Sequence, residues 1–179
     1  MRRNRLGVLR GRRRLLLVTL CLLALVALPA LALAGETTKI FVMDRCEPES
    51  FDAAVEPGTC VRNGGVTFDK FAKRLNPEDG GHNAWTFSRH DLVVAGDQTL
   101  TLINNGGEVH TFTEVANFGT GFVPELNATL PPGTPPAQPV GPLNFMSAGE
   151  MLVLGPLPQG THRFMCLIHP WMRSTVEQR

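Results

Sequence analysis

Cys166-Leu167-Ile168-His169-Pro170-Trp171-Met172 stands near the C-terminus, at the end of the apolar, strand-like stretch Thr161 to Cys166. The run sets a thiol, an imidazole and a thioether at C-x-x-H-x-x-M spacing. These soft donors suit copper, and a second imidazole would complete a His2Cys set with a weak axial Met. His110 is the candidate for that imidazole, on a strand-like segment just past the turn Asn104-Asn105-Gly106-Gly107. Taken singly, a His on a strand is usually structural and a Met usually fills a core. Their combination with Cys166 favours ligation. Zinc is the nearest rival for the same residues, but it rarely takes a thioether.

Working outward, short runs separated by turn residues dominate the chain from Trp85 onward. Trp85-Thr86-Phe87, Asp91 to Val94, Thr99 to Ile103, Val109 to Val115, Glu150 to Leu154, Thr161 to Cys166 and Ser174 to Glu177 read as strands. Such spacing predicts an all-β fold, an antiparallel sandwich or barrel. Alternation puts Phe164 on the face of Cys166, as an apolar wall beside the thiol. Between Gly119 and Pro142 seven prolines exclude regular structure for most of the segment. No internal repeat is visible.

The N-terminal third reads differently. Lys39 to Met43 is strand-like; Pro48 with Glu47 and Glu49 starts a short helix; Thr67 caps a second helix whose Phe68, Phe71, Ala72 and Leu75 share one face. Cys46 and Cys60 flank the first helix. In an oxidising compartment they are expected to form a disulfide, closing a loop of about 15 residues and contributing on the order of 3 kcal/mol. The competing reading, a metal pair, lacks both a nearby His and C-x-x-C spacing.

Residues 1–34 form a separate unit: seven arginines, the apolar run Leu15 to Leu28 holding Cys21, then Pro29 and Ala32-Leu33-Ala34. This pattern predicts a secretory signal peptide and a periplasmic or extracellular protein, with membrane attachment only if the segment is retained as an anchor. Arg12-Arg13 also permits a twin-arginine route. All 16 acidic residues lie beyond it, whereas seven of the 17 basic ones leave with it, so the mature chain carries a formal charge of −6. That balance gives no support to nucleic-acid binding and suits an acidic carrier meeting a positively charged partner.

On the residues Asn105-Gly106-Gly107-Glu108-Val109-His110 and Gly160-Thr161-His162-Arg163-Phe164-Met165 leading into Cys166 to Met172, the C-terminal half resembles the cupredoxins, the blue copper family of amicyanin, pseudoazurin and plastocyanin. The short ligand loop with Pro170 after His169 is most like the amicyanin type. The resemblance spans roughly Ala84 to Gln178. It implies a Greek-key sandwich over residues 84–179, with residues 35–83 as a helical, disulfide-bearing extension. It also implies one type 1 copper ion held by His110, Cys166, His169 and Met172. Thr111 stands where these carriers usually place an Asn that ties the two ligand loops together, and a Thr hydroxyl can still donate. His162 stands where an aromatic is usual.

The expected function is a non-enzymatic one-electron carrier exchanging with a redox partner protein, and the alternative is copper binding and delivery to an acceptor. Multicopper enzymes need further histidines, and only the scattered His82, His90 and His162 remain. Trp171, beside His169, is the expected exposed apolar patch for a partner, unless it packs over the loop.

Overall fold

A computed structural model describes residues 36–179, so the expected signal segment of residues 1–34 lies outside the described residues. Residues 36–179 form one compact unit. Its strands are β1 (Thr37–Met43), β2 (Thr86–Phe87), β3 (Asp91–Val94), β4 (Thr99–Asn104), β5 (His110–Thr111), β6 (Thr113–Val115), β7 (Phe145–Met146), β8 (Met151–Leu154), β9 (Gly160–Met165) and β10 (Arg173–Gln178). They make two four-stranded sheets, in the orders β2-β1-β4-β8 and β3-β10-β9-β6, and a small β5-β7 ribbon.

Period-2 alternation places the apolar faces together. Ile40 and Val42 of β1, Leu100 and Leu102 of β4, Phe164 of β9 and Val176 of β10 are all at most 2% exposed and belong to one core cluster. Phe112 joins the sheets, stacked on Phe164 with ring centroids 4.4 Å apart and edge-on to Phe87 at 5.0 Å.

The fold is mostly β, as the turn spacing predicts, but the sheets are mixed rather than antiparallel. β1 runs parallel to β4 and β10 parallel to β3. β1–β2 and β9–β10 pair as antiparallel neighbours, but the chain crosses between the two sheets from β2 to β3, β3 to β4 and β8 to β9, which permits the parallel partners. A second departure concerns residues 35–83: β1 is an inner strand of the first sheet, so the break drawn at residue 83 does not separate two bodies. The expected strand Val109 to Val115 is also divided. At Phe112 the chain leaves β7 and joins β9, and the Phe112 amide donates to the Asn144 carbonyl.

The two helices form where expected. In α1 (Pro48–Ala54) the Glu47 carboxylate caps the first turn by accepting from the Glu49 and Ser50 amides, at 3.3 and 2.9 Å. Thr67 precedes α2 (Phe68–Ala72), yet its side chain makes no capping bond; the Phe68 amide donates instead to Ser50 Oγ at 3.0 Å, which fastens α2 to α1. Phe51, Phe71 and Trp85 stack between the helices and the sandwich, with Phe71 and Trp85 centroids 4.6 Å apart. Cys46 and Cys60 are joined by a disulfide, as their spacing and the expected compartment predict. A single turn of 3-10 helix, Leu126–Thr129, interrupts the proline-rich connection.

Candidate metal centre

Two hairpin-like features bring the donors together at one end of the sandwich. His110 opens β5, immediately after the glycine turn, while Cys166, His169 and Met172 lie in the connection from β9 to β10. That connection closes on itself: the Cys166 amide donates to the Met172 carbonyl at 3.0 Å and the Met172 amide to the His169 carbonyl at 2.9 Å. Pro170 suits such a turn, having no amide hydrogen to satisfy.

The side chains of His110, Cys166 and His169 converge, each offering a donor atom within 4.8 Å of the others. Cys166 Sγ stands 3.8 Å from His110 Nδ1 and 3.7 Å from His169 Nδ1. An ion with bonds of about 2.0–2.3 Å to nitrogen and sulfur spans edges of this length, so the donors fit a metal in both chemistry and spacing. Met172 is 1% exposed and belongs to the same buried cluster as Cys166. His110 and Cys166 are fully buried, and His169 is only 2% exposed.

Cys166 Sγ also accepts from two backbone amides, Thr111 at 3.3 Å and His169 at 3.4 Å. Thr111 fills the tying role that its position implies. Its Oγ1 accepts from the Leu167 amide at 2.8 Å and donates to the Met165 carbonyl at 3.4 Å, so one hydroxyl links the His110 strand to the Cys166 segment.

Behind the imidazoles stand two carboxylates. Asp44 Oδ2 lies 2.9 Å from His110 Nε2, and Asp44 also accepts from the Gly107 and Glu108 amides at 2.9 and 3.1 Å. Glu108 Oε2 lies 3.7 Å from His169 Nε2 and accepts from Trp85 Nε1. The disulfide segment supports the same turn: the Val61 amide donates to the Gly107 carbonyl at 2.9 Å, and Arg62 to the Asn105 carbonyl at 2.6 Å. Gly107 is required there, because a Cβ would come within 2.7 Å of Cys46 Sγ.

This packing sets the charges of the metal-free site. Burial pushes Asp44 up, but the His110 hydrogen bond and charge and the two amides outweigh it and hold the carboxyl at about 2. Burial pushes His110 down, yet Asp44 and Cys166 raise it to about 9. For Cys166, burial raises the thiol while hydrogen bonds and charge from both histidines hold it well below its ordinary value. Burial raises Glu108, against the opposing pull of His169 and Trp85. Both imidazoles thus favour ionisation of Cys166, and the thiolate is the form that binds metal.

Trp171 does not form the exposed patch expected of it. Its ring packs against Gly81, and Nε1 donates toward the His82 and Trp85 carbonyls at 3.3 and 3.2 Å. Phe71 lies edge-on to His169 at 6.4 Å, so the helical segment covers the imidazole. An apolar cavity of about 490 Å³ between the helices and the Val123–Leu126 stretch still reaches His169. The remaining histidines stay outside the cluster: His162 bonds Glu114 at 2.6 Å and the Pro158 carbonyl at 2.7 Å, His82 packs on Trp85, and His90 faces the Arg173 carbonyl.

Asp44 and Glu108 have no assigned role in the sequence reading. Glu108 lies in the turn two residues before His110, outside β5, so strand alternation gives it no signal. Asp44 is 66 residues from His110 and carries no local signal.

No protein-family model and no curated protein sequence matches this chain. Among solved structures it is similar to a novel purple cupredoxin from Nitrosopumilus maritimus, with 13% identity and a TM-score of 0.41 over 79% of this chain and 99% of that one. It is also similar to a methionine-to-alanine mutant of amicyanin in the Cu(I) form, with 20% identity and a TM-score of 0.37 over 52% of this chain and 73% of that one. A reduced tryptophan-to-tyrosine mutant of amicyanin gives 23% identity and a TM-score of 0.36 over the same shares, 52% and 73%. The fold itself is mostly β, built on two four-stranded mixed sheets. Its two four-stranded sheets carry the convergent donors on the β9–β10 connection and on β5.

Proposed function

We propose that this protein is an exported, non-enzymatic one-electron carrier with a single type 1 copper ion on a Greek-key cupredoxin sandwich. His110, Cys166 and His169 would hold the ion and Met172 would supply the weak axial thioether. The carrying observation is the buried triangle of one cysteine sulfur and two imidazole nitrogens, with edges of 3.7 and 3.8 Å to sulfur. When bound, copper supplies the one-electron change between Cu(II) and Cu(I). The chain's part is to hold the donors so that neither oxidation state demands rearrangement. Thr111 and the amides on Cys166 Sγ serve that rigidity, and the wall of Phe112 and Phe164 keeps water away.

Delivery of copper to an acceptor is the other reading. Burial of all four side chains, with His169 the most exposed at 2%, favours an ion that stays while electrons move. With Trp171 packed inward, the approach for a redox partner is the cavity side of His169. Export rests on the residue 1–34 pattern, and among the described residues no helix is long and apolar enough to cross a membrane.

Electron exchange separates the two readings. The copper-loaded protein mixed in stopped flow with a small inorganic reductant, then with an oxidant, should bleach and recolour reversibly with its copper retained. Loss of the ion to a Cu(I) chelator within the same cycle would favour delivery and refute the carrier.

A further inference from the structure

Both imidazoles of the site have a carboxylate on the side away from the thiolate. Asp44 and Glu108 are each 8% exposed, and their oxygens lie 2.9 and 3.7 Å from Nε2 of His110 and His169. In both rings Nδ1 is the atom turned to Cys166 Sγ. The first distance is a hydrogen bond; the second is too long for one and only brings a carboxylate close to the ring. Both carboxylates are fixed in turn, Asp44 by the Gly107 and Glu108 amides and Glu108 by the Trp85 indole. Among the described residues no Lys or Arg forms an ion pair with either.

We propose, resting on the copper reading above, that Asp44 is a positioning residue that fixes His110 as an Nδ1 donor, and that Asp44 and Glu108 together bias the centre toward Cu(II), lowering its reduction potential. An acceptor at Nε2 keeps the proton on that nitrogen and leaves the Nδ1 lone pair for the metal, while making the ring a stronger donor. Two carboxylates with no Lys or Arg partner among the described residues also sit in a buried environment, where screening is weak, and negative charge there stabilises the more highly charged oxidation state. The segment bearing Asp44, the disulfide and Trp85 thereby acquires a purpose: it brings one carboxylate to His110 and orients the other beside His169.

The test is the midpoint potential of the copper-loaded full mature chain, measured by spectroelectrochemistry for wild type, Asp44→Asn, Glu108→Gln and Glu108→Asp. An amide oxygen still accepts from Nε2 but carries no charge, so the first two variants remove charge with little change of shape. Each should shift the Cu(I)/Cu(II) balance toward Cu(I) by at least about tenfold at Asp44 and somewhat less at Glu108. A tenfold shift is about 59 mV upward for one electron. Glu108→Asp keeps the charge and should stay near wild type. Folded, blue Asp44→Asn and Glu108→Gln proteins whose balance stays within about twofold of wild type would overturn this inference alone, leaving the carrier reading intact. A wild-type protein without a copper centre would overturn both. Should Asp44→Asn fail to fold, the diamagnetic reduced wild type decides: nitrogen NMR must show a proton on Nε2 of His110 hydrogen-bonded to the Asp44 carboxylate, and a bare or unbonded Nε2 there refutes the assignment.

Discussion

Gly106→Ala adds one methyl group to the turn between β4 and β5, and it tests how β1 is tied to the ligand strand. The added Cβ would lie 1.8 Å from Asp44 Oδ2 and 2.6 Å from Asp44 Cγ. Normal contact is about 3.4 Å, so the carboxylate has to retreat by roughly 1.5 Å. The same oxygen accepts from His110 at 2.9 Å and from the Glu108 amide at 3.1 Å, and neither bond survives such a displacement. Hydrogen bonds to a charged group contribute about 1.5–3 kcal/mol each, so losing two predicts a destabilisation of about 3–6 kcal/mol. Gly141→Ala is the control, because its Cβ would meet Glu114 Cβ at an ordinary 3.6 Å. Urea unfolding of the metal-free protein at neutral pH reads both. A Gly106→Ala loss below about 1 kcal/mol would refute the claim that Asp44 is clamped between this turn and His110.

Thr111→Val keeps the shape but removes the hydroxyl that serves Leu167 and Met165, leaving a buried amide unsatisfied; a loss of about 1–3 kcal/mol in denaturant midpoints is expected. The double change Cys46→Ser with Cys60→Ser opens a loop of sequence separation 14 and should cost about 3 kcal/mol by thermal unfolding, with copper affinity weakened because the disulfide backs the Gly107 turn. Phe71→Ala should destabilise by about 3–5 kcal/mol and speed exchange of the His169 ring with solvent reductants, seen in stopped flow. For pH, the Asp44 carboxyl is depressed to about 2 from 3.8, so its contribution is complete above 3.8 and is lost as pH falls through about 2. In the metal-free protein Asp44→Asn should therefore flatten the acid limb of a stability-versus-pH curve between those values, and an unchanged limb would contradict the pairing.

How far the fold and site could be read in advance depended on how local each determinant is. The C-x-x-H-x-x-M loop folds back on its own backbone, through Cys166 and Met172, so its spacing alone exposed three donors. The α1 start was legible because Pro48 and the acidic residues act within one turn. The parallel pairing of β1 with β4 was not, since partners such as Thr37 and Thr99 lie far apart and either strand would look the same with another neighbour. The division of the His110 strand at Phe112 was hidden for the same reason: its two halves pair with β7 and β9, and alternation within one run does not say where partners change. Trp171 was misplaced because exposure depends on what covers it. The covering residues, Gly81 and His82, lie about ninety positions away. Asp44 is the sharpest case, a strand-end acid whose meaning exists only once His110 is folded against it.

The most direct measurement is the optical and electron paramagnetic resonance spectrum of the purified mature protein with one equivalent of Cu(II), beside Cys166→Ser. The account predicts an intense blue, narrow-hyperfine centre of one copper per chain in the wild type and its disappearance in the variant, because the thiolate at the apex of the two imidazoles creates it. A pale tetragonal spectrum in the wild type, or a blue centre that survives Cys166→Ser, would contradict it.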